Sequence, residues 1–334
     1  MKAALTIAIG MALFCGSGAH GQPPPDRPPI IDMHMHAMPA DFYGKPPAKM
    51  CTPQIFPWAD PRDPKAVFST CAGREVEAGT TDEEVIRRTV GVMAEFNVIG
   101  VISAPLRGGA SPIDRLKPWQ AAAPDRVIPG VWTNGQVPLD SLRTWAKEGR
   151  IRVLGELTFQ YTGYSFSDAL PEQHFALAEE FDIPVGLHVG PGAPGEPYWL
   201  SARYRASLGR PLSLEEPLLR HPKMRLYVMH AGWPMVDEMM ALLFYHPQVN
   251  VDVGTISWQL PRAEFHRYLR RLVEAGFGKR VMFGSDQLLF HDLVRVSIEA
   301  IESADFLTAD QKRDIFYNNA ARFLRSDAQR QPAK

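Results

Sequence analysis

Eight short apolar runs alternate with helical patterns along this chain, and that alternation leaves few folds open. The runs are PIIDMHMH (29–36), VIGVISA (98–104), RVIPGVW (126–132), VLGELTF (153–159), IPVGLHVG (183–190), RLYVMHAG (225–232), VNVDVGT (249–255) and RVMFGSD (280–286). Each is rich in Val, Ile and Leu, as strands buried on both faces should be. Amphipathic patterns over 82–97, 139–149, 173–182, 234–246, 263–276 and 291–303 predict helices between them, with a weaker one over 111–123. Thr81 with Glu84, and Thr308 with Gln311 ahead of IFYNNAARFL, have the spacing of capping boxes. Eight strands alternating with helices predict a parallel sheet, and eight is the number that closes a TIM-type (β/α)8 barrel. The competitor, an open doubly wound sheet, usually carries a glycine fingerprint after its first strand, and none is present here.

The ends of the chain read differently. Residues 1–21 combine Lys2, an apolar stretch from Ala3 to Cys15 and small residues at Ala19-His20-Gly21, the pattern of a secretory signal peptide. Residues 22–28 form a Pro-rich leader, 29–324 the barrel, and 325–334 a polar tail. An exported chain keeps two cysteines, Cys51 and Cys71, which are expected to pair in an oxidising compartment. Both lie in a long irregular insertion, Ala37 to Thr80, directly after the first strand. It is expected to cover the barrel mouth as a stapled lid or to serve as an oligomer contact, and a homodimer is left open.

Composition restricts the partners. Lys plus Arg total 36 against 37 Asp plus Glu, and mean hydropathy is −0.17, so there is no basic footprint for nucleic acid and no membrane insertion of the mature chain is expected. A small-molecule substrate is the partner that remains.

The chemistry is written at the C-terminal ends of the runs. His34 and His36 close the first, two residues apart and therefore on one strand face, a spacing that suits two ligands of one ion. The fourth run carries Glu156, the fifth His188, the sixth His230 and the eighth Asp286. A β/α barrel brings those ends to one mouth, where its chemistry sits. Buried unpaired imidazoles and carboxylates are costly, and a divalent cation is the economical way to satisfy them. Asp32, one layer deeper, is expected to orient an imidazole or to be a buried structural group. His221 and His246 fit helix C-termini at the opposite end, His174 and His266 fit solvated helical faces, and His291 is a candidate to reach the mouth from beyond Asp286.

With DMHMH, GEL, LHVG, HAGWP, FGSD and NNAARFL in this order, residues 29–324 resemble the amidohydrolase superfamily. The resemblance is to its amidohydrolase-related branch, which includes the aminocarboxymuconate-semialdehyde decarboxylase-like enzymes. It implies a metal-dependent barrel in which His34, His36, His188 and Asp286 hold one divalent metal, most often Zn2+, and His230 acts as a base or polarising group. Glu156 then either binds or bridges metal, giving a second ion with His188 and His230, or has a structural role, capping a neighbouring strand or pairing with an Arg. A zinc ion lowers the pKa of its water from 15.7 to about 7, and Asp286 is placed to take the water's proton to the leaving group.

Loops after the strands offer substrate contacts in Arg107, Trp132, Tyr161, Arg203 and Trp233, with Tyr164, Tyr198, Trp199 and Trp258 as further aromatics. The leading reading is an exported metal-dependent hydrolase of a small ester, lactone or amide. The alternative is a non-oxidative decarboxylase of an aromatic or muconate-type acid. An exported binding protein without chemistry is the reading from a different class, and it leaves His230 without a purpose.

Overall fold

A computed structural model describes residues 27–325. The expected signal peptide, most of the expected Pro-rich leader and the tail beyond 325 fall outside the described residues. The strands are β1 (Ile30–His36), β2 (Lys49–Ile55), β3 (Thr70–Glu77), β4 (Val98–Pro105), β5 (Val127–Thr133), β6 (Val153–Leu157), β7 (Val185–His188), β8 (Leu226–Met229), β9 (Asn250–Asp252) and β10 (Val281–Met282). Eight of them form one parallel sheet in the order β1-β4-β5-β6-β7-β8-β9-β10, matching the eight apolar runs. The seam between β10 and β1 is bridged by the Met33 amide donating to the Phe283 carbonyl at 2.9 Å and the Asp286 amide to the His34 carbonyl at 2.7 Å. The result is a (β/α)8 barrel.

The last two barrel strands are shorter than their apolar runs. Thr255 and Asp286, at φ 57° and 50°, turn the chain into the left-handed region and end the extended stretches. The insertion is not wholly irregular: β2 and β3 pair antiparallel and are joined by a Cys51–Cys71 disulfide. This ribbon docks on the barrel through the Thr52 hydroxyl, which donates to the Trp258 carbonyl at 2.8 Å, and through Gln259 Nε2, which donates to Gln54 Oε1 at 3.2 Å.

Helix starts follow their caps. The Thr308 capping box is complete, whereas at Thr81 only half of it forms. The Thr81 hydroxyl accepts the Glu84 amide, but the Glu84 carboxylate turns to Thr80 and Arg88. The helix expected from residue 173 begins at Ala169, because Asp168 stands at its N-cap position and Pro171 falls in a first turn that needs no donor there. No described helix is long and apolar enough to cross a membrane.

His174, expected to be solvated, is fully buried, with Nδ1 donating to the Leu170 carbonyl at 2.8 Å and its ring edge-on to Phe159. His266 is half-buried against the Ala300 carbonyl at 2.9 Å. Burial lowers the pKa of His174 below its ordinary 6.5, so the folded chain binds fewer protons there than the unfolded chain. Its contribution to stability is therefore present above pH 6.5 and is lost as pH falls through the lowered value. The urea midpoint of the wild type is expected to drop more steeply between pH 7.5 and about 5 than that of a His174→Gln variant; parallel pH profiles would refute this.

Candidate active site

The first strand aims its histidines by breaking its own register. One extra residue separates Asp32 from Met35 relative to β4, a bulge that shifts the side-chain alternation. Below it Ile31 and Met33 pack inside the barrel with Val101, Val153, Tyr227 and Met229, while Met35 joins the outer core between barrel and helices. Above it His34 and His36 face the mouth. A bulge leaves an amide without a ladder partner, and Asp32 Oδ1 accepts that of His34 at 3.0 Å together with that of Ser285 at 2.9 Å. Asp32 thus fixes backbone rather than an imidazole, and burial raises its pKa to about 7. Gln287 completes the seam: its Oε1 accepts the His36 amide at 3.0 Å and its Nε2 donates to the His36 carbonyl at 2.8 Å, as a neighbouring strand would.

The strand ends converge as the topology requires. His36 Nε2 lies 3.0 Å and His34 Nε2 3.6 Å from Asp286 Oδ1, and the same two nitrogens lie 3.6 and 3.8 Å from Glu156 Oε2. The other Glu156 oxygen is 2.6 Å from His188 Nδ1 and 3.4 Å from His230 Nε2, and these two imidazoles are 3.0 Å apart. Glu156 therefore touches four imidazoles, and among the described residues no Arg forms an ion pair with it. His188, expected beside His34, His36 and Asp286, has its ligand atom close to those of Glu156 and His230. Among the described residues three neighbouring groups could hold an ion, His34–His36–Glu156, Glu156–His188–His230 and His34–His230–Asp252, with Asp286 against the first.

The donor set fits a divalent cation. His34 Nε2, His36 Nε2 and Asp286 Oδ1 are buried, the two nitrogens lie 3.6 and 3.0 Å from that oxygen, and none of the three makes a well-aligned hydrogen bond. Such orphaned groups are costly unless an ion sits among them.

Electrostatics support the same grouping. Burial alone favours the neutral acid at Asp286, but the charge of His34 and the His36 imidazole 3.0 Å away overcome it and hold the carboxyl well below its usual range. Burial also disfavours charge on His34, yet Asp286 and Asp252 push its pKa well up. At Glu156 the imidazoles of His188, His230 and His34 outweigh burial and keep it ionised. Of the two imidazoles sharing that carboxylate, His230 is raised by Glu156 against burial, while burial and the charge on His230 lower His188.

Around these ligands stands a supporting shell. Asp252, at the end of β9, lies 3.2 Å from His34 Nδ1 and accepts the amides of His230 at 3.2 Å and Gly254 at 2.8 Å. Gly254 must lack a side chain, because a Cβ there would lie 2.7 Å from His34 Nδ1. The Thr255 hydroxyl donates to Asp286 Oδ2, turning Oδ1 toward the imidazoles. His230 Nδ1 donates to the Gly254 carbonyl at 3.1 Å, which leaves Nε2 for the site. His230, Thr255 and Asp286 all have left-handed backbones, and at roughly 1–3 kcal/mol each such strain persists only where the surroundings over-determine it. Asp252 and Gln287 were not singled out by sequence reasoning, although Asp252 is the one acid of the seventh run and sits at its strand end. Asp252→Asn is expected to lower metal affinity or turnover about 10–100-fold with the barrel intact; wild-type values for both would remove its orienting role.

The expected substrate contacts separate. Tyr161 stands at the site, its ring edge-on to His188 at 5.2 Å and tilted over Tyr204 at 4.7 Å. Trp132 is half-buried at the end of β5. Arg107 is exposed and lies over the Phe42 ring, Arg203 is exposed, and Trp233 donates its indole N–H to Glu264 at 3.3 Å. Trp258 is buried with its indole donating to the Ser285 carbonyl at 2.8 Å, so it braces the seam. Tyr43, from the insertion, was not foreseen: the residue is half-exposed, yet desolvation and the charges of Asp286, Glu156 and Glu196 push its phenol up. His291 faces Asp292 at 3.8 Å, beside Arg88 and Arg295, and makes no contact with the ligand groups. His221 and His246 do cap helix C-termini, at Glu215–Arg220 and Val236–Tyr245.

Comparison with known proteins agrees with this geometry. A family model described as "Amidohydrolase" matches residues 31–326. No curated protein matches the chain. Among solved structures, an uncharacterised TIM-barrel protein from Bordetella bronchiseptica is 17% identical with a TM-score of 0.59, over 90% of this chain and 100% of that one. A probable 2-pyrone-4,6-dicarboxylic acid hydrolase from Acinetobacter baumannii is 13% identical with a TM-score of 0.54, over 88% and 98% of the two chains. A 5-carboxyvanillate decarboxylase from Novosphingobium aromaticivorans, complexed with manganese, is 15% identical with a TM-score of 0.51, over 71% and 79%. At these identities the likeness is one of fold.

Proposed function

The chain belongs to the amidohydrolase family, and on that premise we propose that it is an exported metal-dependent hydrolase acting on a small ester, lactone or amide. One observation carries the reading: three orphaned, buried ligand atoms of His34, His36 and Asp286 point at one another beside His230. His34, His36, Asp286 and Glu156 would hold a first divalent ion, and Glu156, His188 and His230 have the arrangement for a second. Zinc is the ion we propose. A bound divalent cation supplies Lewis-acid polarisation of a carbonyl and lowers the pKa of water from 15.7 to about 7.

The protein's own groups do the rest. Asp286, its Oδ2 held by Thr255, accepts the proton of the attacking water on Oδ1 and returns it to the leaving oxygen or nitrogen as the acyl bond breaks. In a one-ion site, His230 protonated on both nitrogens would keep Nδ1–H on the Gly254 carbonyl and donate from Nε2–H to the substrate carbonyl, stabilising charge as it develops there. The disulfide across the ribbon supports export, as does the leader-like residues 1–21.

A panel of chromogenic esters and lactones, assayed with and without chelator, tests the proposal. Chelator-sensitive hydrolysis of at least one is expected. Release of carbon dioxide from an aromatic acid, with no ester or lactone hydrolysed, would replace this reading with a decarboxylase using the same ligands.

A further inference from the structure

The chain leaves β9 through a turn that L-residues seldom adopt. Thr255 has φ 57° and ψ −56°, and the Ile256 amide donates back to the Gly254 carbonyl at 2.6 Å, so Gly254–Thr255–Ile256 is a γ-turn of the rare, strained kind. Glycine takes a positive φ at no steric cost, yet a β-branched residue stands here. Its backbone is tied on both sides: the Thr255 amide donates to the Ser285 carbonyl at 3.3 Å, and its carbonyl accepts the Gln259 amide at 2.8 Å. None of these bonds needs a side chain. The bond that does is the one from the Thr255 hydroxyl to Asp286 Oδ2.

That bond falls on a group whose orientation matters. Asp286 Oδ1 is the oxygen that faces the imidazoles, 3.0 Å from His36 Nε2 and 3.6 Å from His34 Nε2. The Asp286 backbone is fixed by its amide, which donates to the His34 carbonyl at 2.7 Å, but a carboxylate can still turn about its last single bond. Engaging Oδ2 removes that freedom. The same turn serves a second group, because the Gly254 carbonyl it closes on lies 3.1 Å from His230 Nδ1. One strained turn thus meets Asp286 through a hydroxyl and His230 through a carbonyl.

We propose that Thr255 is a positioning residue of this site: its hydroxyl locks Asp286 Oδ2 so that Oδ1 alone is presented to the ion and the attacking water. The strain of the γ-turn is retained for that contact. This role rests on the metal-dependent hydrolytic reading of the site. The strain also separates it from a structural role. Were Thr255 there only for its backbone, glycine would serve at least as well, and were it there only to fill space, valine, which keeps the branch and lacks the hydroxyl, would do the same.

The test compares Thr255→Ser, Thr255→Val and Thr255→Gly with the wild type, first in zinc affinity by competition with a chromogenic chelator, then in kcat and KM on a hydrolysed ester or lactone. Thr255→Val and Thr255→Gly are each expected to bind zinc about 10–100-fold more weakly and, at saturating zinc, to lose kcat by a similar factor with KM nearly constant. Thr255→Ser, which keeps the hydroxyl, is expected to stay within about threefold of the wild type in both. Zinc affinity decides. Wild-type affinity in Thr255→Gly and Thr255→Val overturns the proposal, as does a loss in Thr255→Ser equal to theirs, and a wild type that binds no zinc overturns it together with the metal-dependent reading. Should Thr255→Val fail to fold, Thr255→Gly against Thr255→Ser decides alone, because glycine fits the turn. Zinc binding is read without substrate. A loss of affinity confined to Val and Gly, in a chain that hydrolyses no ester or lactone, keeps this role and removes the hydrolytic reading. Hydrolysis with zinc affinity unmoved by all three substitutions removes the role and keeps that reading.

Discussion

His34→Ala and Asp286→Asn are each expected to abolish turnover, by about 10³-fold or more, while the far-ultraviolet circular dichroism of the barrel stays unchanged. The reason is geometric. His34→Ala removes, and Asp286→Asn strips of its charge, one of three orphaned ligand atoms that converge from β1 and from the turn after β10. Metal content, measured on protein purified without added ion, is expected to fall from one or two equivalents toward none at the first ligand group. The melting temperature of the metal-loaded protein falls with it, because an ion at 1,000 times its dissociation constant contributes about 4 kcal/mol that the variant forgoes. Full activity in excess chelator, together with no bound metal in the wild type, would falsify the metal-dependent reading.

His230→Ala is expected to lower kcat by about 10²–10⁴-fold while KM changes little, the range for loss of a positioned acid–base or polarising group. Here the metal analysis discriminates between two roles. His230 touches Glu156 and His188 but belongs to no group containing His36. If it acts only on the substrate, the variant keeps all the metal of the wild type. If it also ligates a second ion, the variant loses that ion and keeps the first. Wild-type kcat in His230→Ala would remove it from the chemistry altogether.

Each candidate ligand was legible because its residue type is unusual at its place. His34, His36, Glu156, His188, His230 and Asp286 interrupt or end runs that are otherwise apolar, and polar groups at strand ends are seldom there for packing. Their supports were less visible. Asp252 ends a run that was read for its apolar residues alone, and Gln287 looks like a surface amide until β10 proves too short to pair with His36. His174 lies on a helix whose start was placed four residues late, so its face was misjudged. The ribbon in the insertion was missed because its strands carry polar, exposed residues, with hardly any apolar alternation to announce them.

The eight-strand alternation, the kinds of candidate ligands and their placement at one mouth were determined by sequence alone, because apolar periodicity fixes which segments are strands and parallel winding fixes which ends meet. Tertiary structure decided how the ligands divide. The bulge in β1 sets which way its two imidazoles point, and that depends on Asp32 and Ser285, 253 residues apart, meeting across the seam. Glu156 became the shared carboxylate of four imidazoles only through the packing of β6 between β5 and β7. Residue type can say that a carboxylate is present near histidines, whereas which oxygen faces which nitrogen is settled by contacts between strands far apart in the chain.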